Sequence, residues 1–247
     1  MDIIGDIGNT EVKICLFSKN KKLINKITLK TNLIEAKYLK RNLSIFIKKN
    51  ISINKIIFSS VVPKVYKLIN FYFLKKLKKK SIEIKKLNLN KLITINVNKK
   101  QIGSDRISNA IGVNDKINNY IIIDFGTATT FDVVIKNKYL GGIIAPGLSL
   151  SLNTLISKAS LIPSLKLKRV NKILGKNTIS AVRSGFYWGY IGLVQNIIDK
   201  IYKQTKKKYK VILTGGFSHL FVKSIKQSVT IDKDITIKGL LKITKLL

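Results

Sequence analysis

Apolar residues fall in short runs separated by breaks rich in lysine and asparagine, and the period of each run sorts it into strand or helix. Residues 11–17 and 22–29 predict strands, 33–49 an amphipathic helix, and Lys55-Ile-Ile-Phe-Ser-Ser-Val-Val-Pro63 a buried strand running into a loop. Residues 64–79 follow with helical spacing. The pattern then restarts: Tyr120-Ile-Ile-Ile-Asp124 has the unbroken apolar character of a central strand, and Thr129 to Lys136 and Lys138 to Gly142 succeed it like a hairpin. Residues 105–117 and Ala181 to Lys203 read as helices, the second carrying Phe186, Trp188, Tyr190 and Val194 for packing or dimer contact.

Glycine marks the same restart. Gly5 and Gly8 open the chain, none follows until Gly103, and most of the others cluster. Ile4-Gly5-Asp6-Ile7-Gly8-Asn9-Thr10 aligns with Ile122-Ile123-Asp124-Phe125-Gly126-Thr127-Ala128, placing Asp6 and Asp124 118 residues apart, about one small domain. The expected division is 1–117 and 118–247. In each half an apolar strand ends in Asp-x-Gly-(Asn/Thr) before another strand. A glycine turn there can aim backbone N–H groups at phosphate oxygens, and the Asp can hold hydrated magnesium against them; an ordinary Asp-Gly turn is the plainer reading. A third element, Val211-Ile-Leu-Thr-Gly-Gly216, ends a strand in a glycine pair where a nucleotide's adenosine could rest against bare backbone.

Composition narrows the chemistry. The 247 residues include 47 basic and 12 acidic side chains, a formal charge of +35, with 45% hydrophobic residues, enough for a packed core. Forty-three of the cations are lysine and four are arginine, beside 42 isoleucines, 21 asparagines and six alanines. Lys, Ile and Asn share A/T-rich codons, so nucleotide bias accounts for the charge without a ligand. The lysines are spread along the chain and arginine, the usual bidentate reader of bases, is scarce, so no specific nucleic-acid partner is expected. Cys15 and His219 are the sole residues of their kinds, which removes disulfide frameworks, Cys/His zinc sites and most triads. No apolar run reaches membrane-spanning length, and Met1-Asp2-Ile3-Ile4 lacks the positive start of a secretory signal, so no membrane association and a cytoplasmic location are expected.

Gly103-Ser104-Asp105-Arg106 precedes a predicted helix. An Asp beside a hydroxyl can take its proton during phosphoryl transfer, and an Arg can grip a carboxylate. A helix cap explains Ser104 or Asp105 equally well. Spacing alone does not choose between them.

Seven segments occur in an order that resembles the type III pantothenate kinase family. They are Asp6-Ile-Gly-Asn-Thr10, Ser59-Ser-Val-Val-Pro63, Gly103-Ser-Asp-Arg106, Ile123-Asp-Phe-Gly-Thr-Ala-Thr-Thr-Phe-Asp132, Leu140-Gly-Gly-Ile-Ile-Ala-Pro-Gly147, Gly175-Lys-Asn-Thr178 and Thr214-Gly-Gly216. The resemblance spans residues 2 to 246. It implies an α/β fold of duplicated ribonuclease-H-like domains, as in actin-like ATPases, with a nucleotide cleft between them. It also implies ATP-dependent phosphorylation of pantothenate, the first step towards coenzyme A, in a homodimer that uses magnesium and a monovalent cation, potassium or ammonium.

By the same resemblance Asp105 is the catalytic base, and Gly103, Ser104, Arg106 and Thr178 contact pantothenate, Arg106 at its carboxylate. Asp6, Ile7, Gly8, Asn9, Thr10, Glu11, Val12 and Lys13 form the first phosphate-binding turn, Thr127 contacts ATP, and Asp124 holds the monovalent cation. One position departs: a tyrosine the family often carries upstream of the Asp is replaced by the neighbourhood of Asn96, and none occurs between Tyr72 and Tyr120. The alternatives are a related small-molecule kinase of the same superfamily and a catalytically inactive polyanion-binding or regulatory protein.

Overall fold

The computed structural model describes residues 1–47 and 52–247. Contacts divide the chain into two compact units, one of Met1–Asn114, Asn137–Tyr139 and Asp234–Leu247, the other of Asp115–Lys136 and Leu140–Lys233.

The first unit is built on β1 (Asp2–Ile7), β2 (Glu11–Phe17) and β3 (Leu23–Lys30), which meander antiparallel. After α1 (Ala36–Leu43) the chain returns as β4 (Lys55–Ser60), parallel to β1 on its other side. α2 (Pro63–Leu77) and the two-residue β5 (Ile82–Glu83) complete the sheet order β3-β2-β1-β4-β5. β1 is central, and Ile3, Ile4 and Ile7 are fully buried, as expected for a strand covered on both faces. Pro63 fits the first turn of α2, where its missing N–H costs no bond, and Lys78 at φ 53° ends that helix in the left-handed region.

The helix expected over 33–49 is shorter. α1 stops at Leu43 and a tighter turn over Ser44–Ile47 follows, burying Phe46 on the same core as Leu39 and Leu43. Residues 48 and 49 lie outside the described residues. β6 (Thr94–Ile95) and α3 (Ser104–Val113) come next. α3 also ends before the expected 117: Asn114 leaves helical geometry, and its side-chain amide donates to the Leu92 carbonyl and to Asn137 Oδ1, each at 2.8 Å.

The second unit repeats the plan. β7 (Asn119–Phe125) pairs antiparallel with β8 (Ala128–Ile135), and β9 (Lys138–Pro146) continues beyond it. β6 pairs with the start of β9, at residues 138 and 139, which belong to the first unit. α4 (Leu148–Lys158) and the long α5 (Thr178–Thr205) lead to β10 (Lys210–Gly215), parallel to β7. The four-residue α6 (Ser218–Phe221) and β11 (Val229–Ile231) close the order β11-β10-β7-β8-β9. Ile121, Ile123, Phe131 and Leu213 bury against Tyr187, Val194 and Ile198 of α5.

The chain then returns to the first unit as α7 (Ile235–Ile243), which packs on α3. Glycine permits that approach: a β-carbon on Gly112 would collide with the Ile235 carbonyl, and one on Gly239 with the Ser108 carbonyl. No helix among the described residues is long and apolar enough to cross a membrane.

Candidate active site

The two Asp-x-Gly strand ends are alike in pairing as well as in sequence, the second turn being one residue shorter. In the first unit Asp6 lies opposite Lys13 across the β1–β2 hairpin and beside Ser59 on parallel β4. In the second, Asp124 lies opposite Thr130 and beside Thr214 on parallel β10. Register partners share a face of the sheet, so each Asp has a polar neighbour on both sides. Ser59 is fully buried, and its hydroxyl has no hydrogen-bond partner among the described residues.

The first turn is braced from below. Gly8 N–H donates to the Glu11 carbonyl at 3.0 Å, and Thr31 donates its hydroxyl to the Gly8 carbonyl at 2.8 Å and its N–H to the Thr10 carbonyl at 3.0 Å. Asn9, Thr10 and Glu11 are exposed at the tip, whereas Ile7 and Val12 are fully buried, so these two offer only backbone to a ligand. Lys13 and Asp6 are half-buried.

The second turn is enclosed by glycines. Gly126 N–H donates to the Ala128 carbonyl at 3.1 Å. A β-carbon on Gly147 would collide with the Thr127 carbonyl, so the N-terminus of α4 abuts the turn that carries Thr127. A β-carbon on Gly215 would lie 2.6 Å from both Asp124 Oδ1 and the Phe125 carbonyl oxygen, so these two oxygens converge on bare backbone.

Asp105 stands at the first turn of α3. Ser104 is fully buried, and its hydroxyl lies 2.6 Å from Glu83 Oε1 and 3.1 Å from the Ser60 carbonyl. Ser60 is the register partner of Ile7, and Val61 N–H donates to the Ile7 carbonyl at 3.0 Å. The start of α3 is therefore tied to the end of the β1–β4 pair from which the Asp6 turn departs, the end of a strand pair where α/β folds place ligands. Asp105 Oδ1 accepts the Arg106 N–H at 2.8 Å, and the carboxylate folds over Gly103, where a β-carbon would strike it. Of the two readings of this segment, part of the cap is present in the Asp105 bond, while Ser104 does not cap at all. Burial foremost raises the Asp105 pKa, opposed by the Arg106 N–H, the Arg106 charge and the Lys85 charge.

Thr178 is the first residue of α5, exposed, after a reciprocal cap in which Ser180 N–H donates to Asn177 Oδ1 at 2.9 Å and Asn177 N–H to Ser180 Oγ at 3.1 Å. It lines an open depression of about 600 Å³ with Leu161, Pro163 and Arg183.

The first unit thus brings Asp6, Lys13, Gly103, Ser104, Asp105 and Arg106 to one strand end, while Asp124, Thr127 and Thr178 belong to the second unit. Glu83 was not foreseeable: its partner Ser104 is 21 residues away and β5 is only two residues long. Among the described residues no group of three or more His, Cys, Asp or Glu could hold a metal ion.

Comparison with known proteins identifies the family and the fold. A family model described as type III pantothenate kinase matches residues 3–200. A type III pantothenate kinase of Pelagibacter ubique is 56% identical over 247 residues, covering 100% of both chains. Among solved structures, a conserved candidate transcriptional activator of the Baf family from Campylobacter jejuni matches with TM-score 0.63 at 19% identity, over 99% of this chain and 98% of that one. A candidate 2-dehydro-3-deoxygalactonokinase from Sinorhizobium meliloti matches with TM-score 0.60 at 9% identity, over 98% and 97%. The structural likenesses concern the fold alone, the duplicated ribonuclease-H-like α/β architecture of actin-like ATPases.

Proposed function

The chain belongs to the type III pantothenate kinase family and phosphorylates pantothenate with ATP for coenzyme A synthesis, and on that premise we propose that Asp105 is its catalytic base. The observation that carries the assignment is the Ser104–Ser60–Ile7 connection, which ties the Asp105 turn to the strand end that bears Asp6. In this reading the pantothenate primary hydroxyl attacks the γ-phosphorus, its proton passes to the Asp105 carboxylate, and the bond from the γ-phosphorus to the bridging oxygen breaks to release ADP. Arg106, one residue on, grips the pantothenate carboxylate. Gly103 supplies open backbone, and Thr178 serves the same substrate from the head of α5.

The residues from Asp6 to Lys13 are proposed to cradle phosphates, with Thr127 as a second ATP contact. Magnesium fits the first turn. With no protein cluster of three acidic ligands, the ion would rely on one carboxylate, water and phosphate oxygens, its usual manner in kinases, and the spare Ser59 hydroxyl beside Asp6 suits a bound water. When bound, it neutralises charge developing on the phosphates. A monovalent cation fits the second turn, where Asp124 Oδ1 and the Phe125 carbonyl oxygen converge at Gly215.

We also propose a homodimer. Leu161, Ile173 and Leu174 are exposed at 89%, 61% and 83%, and Gly185, Gly189 and Gly192 leave an open strip on α5, a surface of the second unit that another copy could cover. A cytoplasmic location and the lack of a specific nucleic-acid partner belong to the same reading.

The deciding experiment is ATP turnover, coupled to ADP release, with and without pantothenate. Pantothenate-dependent turnover that Asp105→Asn cuts by orders of magnitude, with ATP binding retained, is the expected result. Near-normal turnover in that variant would overturn the role of Asp105.

A further inference from the structure

Two side chains from β5 and the tight turn after it, Glu83 and Lys85, act on the Asp105 turn, and neither was assigned a role from the sequence motifs. Glu83 uses both carboxylate oxygens: Oε2 accepts the Lys85 N–H at 2.9 Å, and Oε1 lies 2.6 Å from the Ser104 hydroxyl. The Lys85 charge lowers the Asp105 pKa against the larger effect of burial, and its ammonium donates to the Lys100 carbonyl at 3.0 Å. Ser104, with 0% exposure, is closed off from any substrate by its own packing.

The Ser104 hydroxyl has one hydrogen and two acceptors, the Glu83 carboxylate and the Ser60 carbonyl at 3.1 Å. A bond to an ionised acceptor is shorter and roughly twice as strong as one to a neutral acceptor, so the hydrogen belongs to Glu83. The Ser60 carbonyl, 3.1 Å away, still seats the hydroxyl against the end of β4 without taking its hydrogen. β5 is parallel to β4 with Glu83 beside Phe58, so the sheet fixes the backbone that carries this carboxylate. Movement of Ser104 would carry the next residue with it, because the Asp105 carboxylate is folded over Gly103 and held by the Arg106 N–H.

We propose that Glu83 is a positioning residue for phosphoryl transfer: held by Lys85 N–H, it takes the Ser104 hydrogen bond and so fixes the helix start that carries Asp105 and Arg106. Ser104 is in consequence a peg and does not touch pantothenate through its hydroxyl. This rests on the reading of Asp105 as the base.

The test is steady-state kinetics and thermal melting of Glu83→Ala, Glu83→Gln, Ser104→Ala, the Glu83→Ala/Ser104→Ala double variant and Asp105→Asn. Glu83→Ala and Ser104→Ala should each lower kcat about tenfold and raise the pantothenate KM, with the ATP KM unchanged. The double variant should be no worse than either single one, because both remove the same contact. Glu83→Gln keeps one acceptor oxygen for the serine but loses the charge and sets its NH2 against the Lys85 N–H, so it should recover part of kcat. Losses that multiply in the double variant, or a folded Glu83→Ala enzyme with kcat within about twofold of the parent, would overturn the proposal. So would a lowered melting temperature with unchanged kcat, the signature of a purely structural contact. If Glu83→Ala does not fold, recovery in Glu83→Gln against loss in Ser104→Ala decides the matter in the same way. Inactive Asp105→Asn beside normal Glu83 variants removes this inference alone, whereas active Asp105→Asn removes the reading beneath it as well.

Discussion

The Asp124 carboxylate and Gly215 meet so closely that a β-carbon on the glycine would fall 2.6 Å from Asp124 Oδ1, and the glycine backbone there has φ +82°. Any other L-residue brings two penalties, a strained backbone and a displaced carboxylate. Gly215→Ala should therefore cost about 1–3 kcal/mol, a drop of several degrees in melting temperature. Gly216 is the control: nothing lies within 4 Å of its added β-carbon, and Gly216→Ala should stay within about 0.5 kcal/mol. Equal melting of the two variants would refute the close seating of Asp124.

As the proposed base, Asp105 would tie activity to instability. Burial raises its pKa, so the carboxylate needed to accept a proton forms at higher pH than for an ordinary Asp, and kcat/KM should fall on acidification with a limb above the usual carboxylate range. A raised folded value also means that its favourable contribution is present at acid pH and is lost as pH rises through that value. At neutral pH the buried charge is a burden, and Asp105→Asn, whose Oδ1 can still accept the Arg106 N–H, should melt no lower than the parent. The difference should shrink towards pH 4. Melts at the two pH values check it, and a variant clearly less stable at pH 7 would contradict the burial argument.

The repeated strand–turn–strand was legible because its signals are local. Short apolar runs before Asp-x-Gly, Ile3-Ile4 and Tyr120 to Ile123, mark both central strands, and each Asp ends a strand paired antiparallel with the next, Asp6 opposite Lys13 and Asp124 opposite Thr130 across a turn one residue shorter. Helix ends were less legible. Asn114 terminates α3 with bonds to Leu92 and Asn137, residues 22 and 23 positions away, which periodicity cannot register. The return of Asp234–Leu247 to the first unit depends on Gly112 and Gly239 meeting facing backbone, a tertiary fact that leaves only two ordinary glycines in the sequence. Glu83 was hidden for the same reason, as one acid in a lysine-rich stretch until Ser104 is placed beside it.

The monovalent cation proposed beside Asp124 is open to a kinetic test. Turnover measured in sodium should rise when potassium or ammonium replaces it. Asp124→Asn should remove most of that difference. Indifference of the parent enzyme to the exchange would dismiss the assignment of Asp124.

Leu174, 83% exposed, and Leu161, 89% exposed, are large apolar side chains left open on the surface proposed for the homodimer. Introducing charge there by Leu161→Glu with Leu174→Glu should shift the protein from dimer to monomer in sedimentation equilibrium without lowering its melting temperature when dilute. A parent that sediments as a monomer at micromolar concentration would refute the homodimer directly.

Acid should act on the second unit at the start of β7. Burial pulls the Asp115 pKa upward, but it is outweighed by the N–H groups of Asn118 and Ile117, the Asn118 amide and the Tyr120 hydroxyl, which hold the carboxyl well below its usual range. The same contact, after burial itself, helps push the Tyr120 phenol up to about 12. A depressed folded value contributes stability above the unfolded value, and that contribution is lost as pH falls through the folded one. Asp115→Asn should thus destabilise at neutral pH and lose its disadvantage progressively below about pH 4. The group is largely exposed, so solvent screens it and the neutral-pH effect should be no more than about 1 kcal/mol. Tyr120→Phe removes one of the four donors and should reproduce part of the loss, and combining it with Asp115→Asn should add little, since one contact is counted in both. Chemical denaturation of the three variants between pH 7 and pH 3 measures all of this, and a deficit for Asp115→Asn that stays constant across the range would show that the turn is held by its backbone alone.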